Sequence, residues 1–162
     1  MNYQNTNVND IIKKIFSIVL LILVTSCSSD NEENKSPIQN PSFPVDLLLK
    51  RWTFDKVIYN SEIYNYIHQP NCMKDEFTFA NQEGQIRQYN ELIFVNDICS
   101  TNGLNLEWKI KNDIISFYFG IQFVINYTII SVTETKLIYS YYVDVDQNGE
   151  DDLITIEAIP YE

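Results

Sequence analysis

From Leu104 onward the chain keeps strict time. Leu104, Leu106, Trp108 and Ile110 alternate with Asn105, Glu107 and Lys109, the period of two that marks a strand with one dry face and one wet face. After the short turn expected at Asn112-Asp113, Ile115, Phe117 and Phe119 face one way. Beyond Gly120 the series Ile121, Phe123, Ile125, Tyr127 and Ile129 repeats the alternation, as do Leu137, Tyr139, Tyr141 and Val143, and finally Ile154, Ile156 and Ala158. Upstream, Arg51 to Tyr59 reads as a first strand with Trp52 and Phe54 on one face. Glu76 to Ala80 brings Phe77 and Phe79 together, and a turn at Glu83-Gly84 returns the chain through Gln85 to Tyr89. Leu92 to Val95 is an apolar run of either type, and Ser61 to Gln69 reads as a short helical turn or a loop. Asp46 is placed to cap a single turn over Leu47 to Leu49.

The four glycines, Gly84, Gly103, Gly120 and Gly149, fall at or beside expected turns or bends. No amphipathic helix is long enough to cover a parallel sheet. The pattern predicts an all-β fold: an antiparallel up-and-down meander of about eight strands, which removes its edges by closing into a barrel.

The first part of the chain follows other rules. Lys13 and Lys14 precede Ile15 to Val24, an uninterrupted apolar run of about ten residues, the length of a signal-peptide core. A membrane-spanning helix needs roughly twice that. The small residues Thr25 and Ser26 then lead to Cys27, and Val24-Thr25-Ser26-Cys27 resembles the lipobox of bacterial lipoproteins. The resemblance implies a leader over 1–26, acylation of the Cys27 sulfur by palmitate-type chains, and Cys27 as the first mature residue. Several acyl chains hold a protein stably to a bilayer where one does not. Residues 27–44 are Ser, Asp, Asn, Glu, Lys, Pro and Gln with few apolar positions, the composition of a disordered tether. Asp30, Glu32 and Glu33 look like an acidic export signal to the outer face of the outer membrane, or else a merely soluble linker. Outer membrane, facing the periplasm or the cell surface, is the expected location, and the folded domain spans 45–162.

Cysteine counting points to the same compartment. With Cys27 taken by lipid, Cys72 and Cys99 form the remaining pair, and outside the reducing cytoplasm two cysteines allow one bridge. Closing 27 positions contributes about 3 kcal/mol on the chain-entropy model. Removing Asp10, Lys13 and Lys14 with the leader takes 11 basic and 22 acidic residues to 9 and 21, a net charge of about −12. Such a surface argues against nucleic acid or an anionic membrane surface as a partner bound by charge.

The span Leu48 to Ile159 is similar to the lipocalin-like domain of Gram-negative bacterial lipoproteins. The residues that carry the resemblance are Leu49-Lys50-Arg51-Trp52, Cys72 followed by Glu76-Phe77-Thr78-Phe79, Cys99 before Leu106-Glu107-Trp108-Lys109-Ile110, and Tyr127 to Leu137. The chain departs at Lys50, where glycine often stands two residues before the tryptophan. The resemblance implies a small barrel binding a small hydrophobic ligand. Trp52, Phe54, Trp108, Phe117, Phe119, Tyr139 and Tyr141 are its candidate contacts, with Phe123 a further inward candidate. An eight-stranded barrel either fills its lumen with side chains or holds one small ligand, so the competing expectation is a packed structural or interaction module that meets a protein or glycan through its loops.

Two further constellations bear on chemistry. Asp144, Asp146, Asn148 and Gly149 stand at relative positions one, three, five and six, matching the first half of a calcium loop, with Asp152 beyond. Position twelve is Thr155, so the bidentate glutamate is missing. Asn148-Gly149 is equally a hairpin turn. Calcium of weak, extracellular grade is therefore the metal alternative to no cofactor. His68, the sole histidine, lies in an irregular segment away from any nucleophile motif and reads as a surface residue. A serine hydrolase needs a base beside its nucleophile, and no glycine-rich phosphate loop is present, so no enzyme activity is expected.

Overall fold

The computed structural model describes residues 40–81, 87–96 and 98–162. The leader over 1–26, Cys27 and the turn at Glu83-Gly84 lie outside them. Among the described residues, nine antiparallel strands form one sheet: β1 (Arg51–Tyr59), β2 (Glu62–Asn65), β3 (Glu76–Asn81), β4 (Arg87–Val95), β5 (Ser100–Lys111), β6 (Ile114–Phe119), β7 (Gln122–Val132), β8 (Leu137–Val143) and β9 (Asp152–Pro160). Neighbours in sequence pair in space from β3 to β9. β1 then joins the two ends, pairing with β3 through Arg51–Thr53 and with β9 from Trp52 to Tyr59. Among the described residues, eight strands thus close an up-and-down antiparallel barrel, and β2 is an extra strand.

β2 arises from a tight turn. Asn60 and Ser61 both take positive φ, at 50° and 65°, the conformation a two-residue hairpin requires. The ambiguous stretch after Tyr59 therefore begins as a strand, with Lys56 to Tyr59 paired to Asn65 to Glu62. Gly103 is not at a turn. It lies inside β5 opposite Leu92, and β4 takes in both the expected return strand and the apolar run Leu92 to Val95. Gly120 and Gly149 do sit at connections, with φ of 60° and 92°.

One end of the barrel is plugged by the chain entering it. Residues Val45–Leu47 form a single 3-10 turn behind Pro44, without a side-chain cap, so Asp46 lies within the turn instead of capping it. The following Leu48 is buried, and its carbonyl accepts a hydrogen bond from Trp52 Nε1 at 3.1 Å. The last residues read as tether also dock here. The Ser42 amide donates to Asp113 Oδ1 at 2.7 Å, and Phe43 packs on the core. The opposite end carries the β1–β2 and β4–β5 turns, the segment 66–75, the β6–β7 tip and the long β8–β9 loop. Between the two ends the inward faces form a continuous aromatic core. Phe77 packs on Phe79 and Tyr139, Phe79 on Trp108, and Phe117 on Tyr89 and Tyr127.

Candidate functional site

The period-two pattern places most of the expected interior side chains correctly. Trp52, Phe54, Trp108, Phe117, Tyr139 and Tyr141 are all buried in the core. Phe119 is not: it is 62% exposed at the β6–β7 tip. It is the last residue of β6, beyond the packed interior, and the facing strand β7 carries a bulge there. Phe117 pairs with Ile125 but Tyr118 with Phe123, so the register slips by one residue. Below the bulge Ile125 and Tyr127 pack inward. Above it Phe123 turns to the outside against the Tyr118 ring, at 6.1 Å between centroids, and Ile121 projects into solvent. Bulges of this kind re-aim side chains at barrel rims.

The interior also holds a group that the apolar periodicity concealed. On β4 the inward positions are Tyr89, Glu91 and Ile93, and Glu91 is only 6% exposed. It stands opposite the buried Phe77 of β3 and the half-buried Leu104 of β5. The Tyr89 hydroxyl donates a short hydrogen bond to its carboxylate. Burial pushes the Glu91 carboxyl up to about 7, with a smaller contribution from the Asp75 charge and opposition from the Tyr89 hydrogen bond. The phenols of Tyr89, Tyr127, Tyr139 and Tyr141 are held well above their ordinary range by burial, and the Glu91 charge adds to the effect on each. Those rings come from β4, β7 and β8 and form a wall. Tyr127 stacks on Tyr139 at 4.7 Å and meets Tyr141 at 5.0 Å. A glutamate in an inward phase is the one signal that would have located this cluster from sequence. Between Tyr89 and Ile93 it reads as an interruption of the pattern.

Beside the cluster, the segment 66–75 runs from β1 to β4 and is pinned by a second acid. Asp75 Oδ1 accepts the Phe94 amide at 2.6 Å and Oδ2 the Tyr66 hydroxyl at 2.9 Å, while its backbone carbonyl accepts Thr53 Oγ1 at 2.7 Å. His68 belongs to this network and is not a free surface residue. Its Nδ1 accepts the Asp75 amide at 3.0 Å, which fixes the proton on Nε2, 3.2 Å from the Phe54 carbonyl. The bridge expected between Cys72 and Cys99 is formed, with Cα atoms 5.4 Å apart, and ties the segment to the β4–β5 turn.

The acidic connection between β8 and β9 is a loop over 144–151 and not a two-residue turn, since Val143 pairs with Asp152. Carboxylate oxygens of Asp144, Asp146 and Asp152 come within 4.8 Å of one another, the arrangement that could hold a cation. The same carboxylates organise the loop. Asp144 accepts the Asn148 and Gly149 amides, Asp146 the Asn148 amide and Asp152 the Val145 amide. Asn148, expected as a ligand, turns its side-chain oxygen to the Glu150 amide at 2.7 Å.

No family model matches the chain, and no curated protein does. Among solved structures, the major allergen Per a 4 from cockroaches superposes with a TM-score of 0.54 at 10% identity, over 77% of this chain and 73% of that one. A lipocalin-like protein from Bacteroides uniformis gives 0.48 at 10% identity, over 71% of this chain and 99% of that one. An uncharacterized protein from Bacteroides eggerthii gives 0.45 at 13%, over 70% and 99%. At such identities the likeness to the cockroach protein is one of fold, and it agrees with the closed barrel described above.

Proposed function

We propose that this protein is a lipid-anchored lipoprotein of the outer membrane whose barrel binds a small hydrophobic ligand in or at the mouth of its lumen. The observation that carries the ligand reading is Glu91. A barrel that needed only a packed core would have an apolar side chain there, because a buried carboxylate costs free energy unless it is compensated. Here it sits among aromatic rings, in the half of the barrel away from the 3-10 turn, and among the described residues no basic side chain forms an ion pair with it. Polar groups set in an otherwise aromatic interior are the usual composition of a ligand site. The anchor reading rests on Val24 to Cys27 and on the apolar run before it.

A competing reading, an interaction module that works through its surface, draws on the exposed Phe119, Ile121 and Phe123 at the β6–β7 tip. Native mass spectrometry of the protein purified from its own host separates the two. A co-purifying small molecule that dissociates on activation supports the ligand reading. A clean apo mass, with no uptake of a fluorescent apolar probe, overturns it. The same spectrum tests the anchor, since the mature mass should begin at an acylated Cys27, and Cys27→Ser should release the protein from washed membranes.

A further inference from the structure

The rings and carboxylates inside the barrel narrow the chemistry of what could sit there. Glu91 is buried on β4, and its hydrogen-bond partner is Tyr89. A carboxylate has about four acceptor positions, so one phenol leaves most of them to be filled. Around it stand Tyr127 from β7, Tyr139 and Tyr141 from β8, and Tyr66 with Asp75 from the segment over the mouth, each within reach of its charge or it of theirs. Glu91 and Tyr141 both lie on inward positions, and each keeps 6% of its surface accessible.

We infer that the ligand carries a protonated amine on a small aromatic or apolar body, with the ammonium group at the Glu91 carboxylate and the body against the Tyr127–Tyr139–Tyr141 wall. The inference rests on the ligand-binding reading above and names the ligand's chemical class. Two independent forces favour a cation here. A carboxylate is an acceptor only, and its hydrogen bonds to charged donors are the strong ones. Aromatic faces attract cations through their quadrupole, most of all when desolvated. The same arrangement rejects an anionic ligand such as a fatty acid, whose carboxylate would meet Glu91 and Asp75 across a site without a described basic partner. A neutral ligand would leave the Glu91 charge uncompensated.

The test uses three probes of similar shape on the full chain at pH 8: phenethylamine, 3-phenylpropionate and 4-phenyl-2-butanone, with binding read by calorimetry. Phenethylamine is expected to bind about 10-fold or more tightly than either of the others, the size of one charge-assisted hydrogen bond. Glu91→Gln keeps the side-chain shape and an acceptor for Tyr89, and should abolish that preference. Glu91→Asp, which keeps the charge, should retain part of it. Equal binding of amine and ketone to the wild-type chain, or a preference that survives in Glu91→Gln, overturns the amine inference while leaving a small-molecule site in place. If the wild-type chain binds none of the three, and native mass spectrometry shows no co-purifying molecule, the inference and the ligand reading fall together.

Discussion

A glutamate on the dry face of a barrel wall has consequences that titration can read. The Glu91 carboxyl is raised by burial to about 7 from an ordinary 4.5. Between those two pH values the folded protein holds a proton that the unfolded chain has released, so stability falls as pH rises through this window. At about 1.4 kcal/mol per tenfold change, the penalty above pH 7 is about 3 kcal/mol. Glu91→Gln removes it. The variant is therefore expected to melt on the order of 10 °C higher than the wild type at pH 8, and at nearly the same temperature at pH 5. Thermal melts followed by circular dichroism at both pH values check this. A variant no more stable than the wild type at pH 8 would mean that the carboxylate is well compensated in place, and would remove the argument that it is kept for a ligand.

Among the elements, the segment 66–75 is the least regular and the most heavily tied. Its length buries little apolar surface, so polar bonds and a covalent link hold it: Asp75 to Phe94, Tyr66 and Thr53, and Cys72 to Cys99 across the mouth. Replacing both cysteines by alanine releases a loop of 27 positions and should cost about 3 kcal/mol. The expected result in a urea titration is a lower midpoint, with a slope equal to or steeper than the wild type's because the unlinked unfolded chain is less compact, and an unchanged native far-UV spectrum, because the Asp75 bonds remain. An unshifted midpoint would show that those bonds alone set the position of the segment. The elements were unevenly legible from the sequence, for identifiable reasons. Strands β5, β8 and β9 follow an unbroken alternation, and their inward residues were foreseen. β7 was half legible, because the bulge opposite Phe117 and Tyr118 changes which phase points inward and leaves no mark in composition. β2 was hidden because Asn60 and Ser61 adopt positive φ without a glycine to announce it. Gly103 misled in the other direction, since it lies within β5, paired there to Leu92 of β4. Glu91 is hidden in the sequence because an acid beside apolar residues reads as an outward position.

For the whole molecule, closure depends on β1 and β9, whose paired residues lie about a hundred positions apart in the chain, whereas every other pairing joins strands that are sequence neighbours or nearly so. Contacts of such separation carry the largest loop-closure cost and form late. Once made, this seam is well buried. Trp52, Phe54, Val57, Ile154, Ile156 and Ala158 line its inner side, and the Arg51 guanidinium at its end stacks 3.8 Å from the Tyr161 ring while the Tyr161 amide donates to the Arg51 carbonyl. The bulge between Phe54 and Lys56 bends the seam without interrupting the pairing from Trp52 to Tyr59. Amide hydrogen exchange should therefore find the seam as protected as the β4–β5 pair, both opening only with global unfolding. The outlying β2 and the β6–β7 tip should exchange fastest. A seam exchanging about 100-fold faster than β4–β5 would correspond to a local opening nearly 3 kcal/mol easier than unfolding. The barrel would then breathe through its wall, and a ligand would have a second way in beside the mouth.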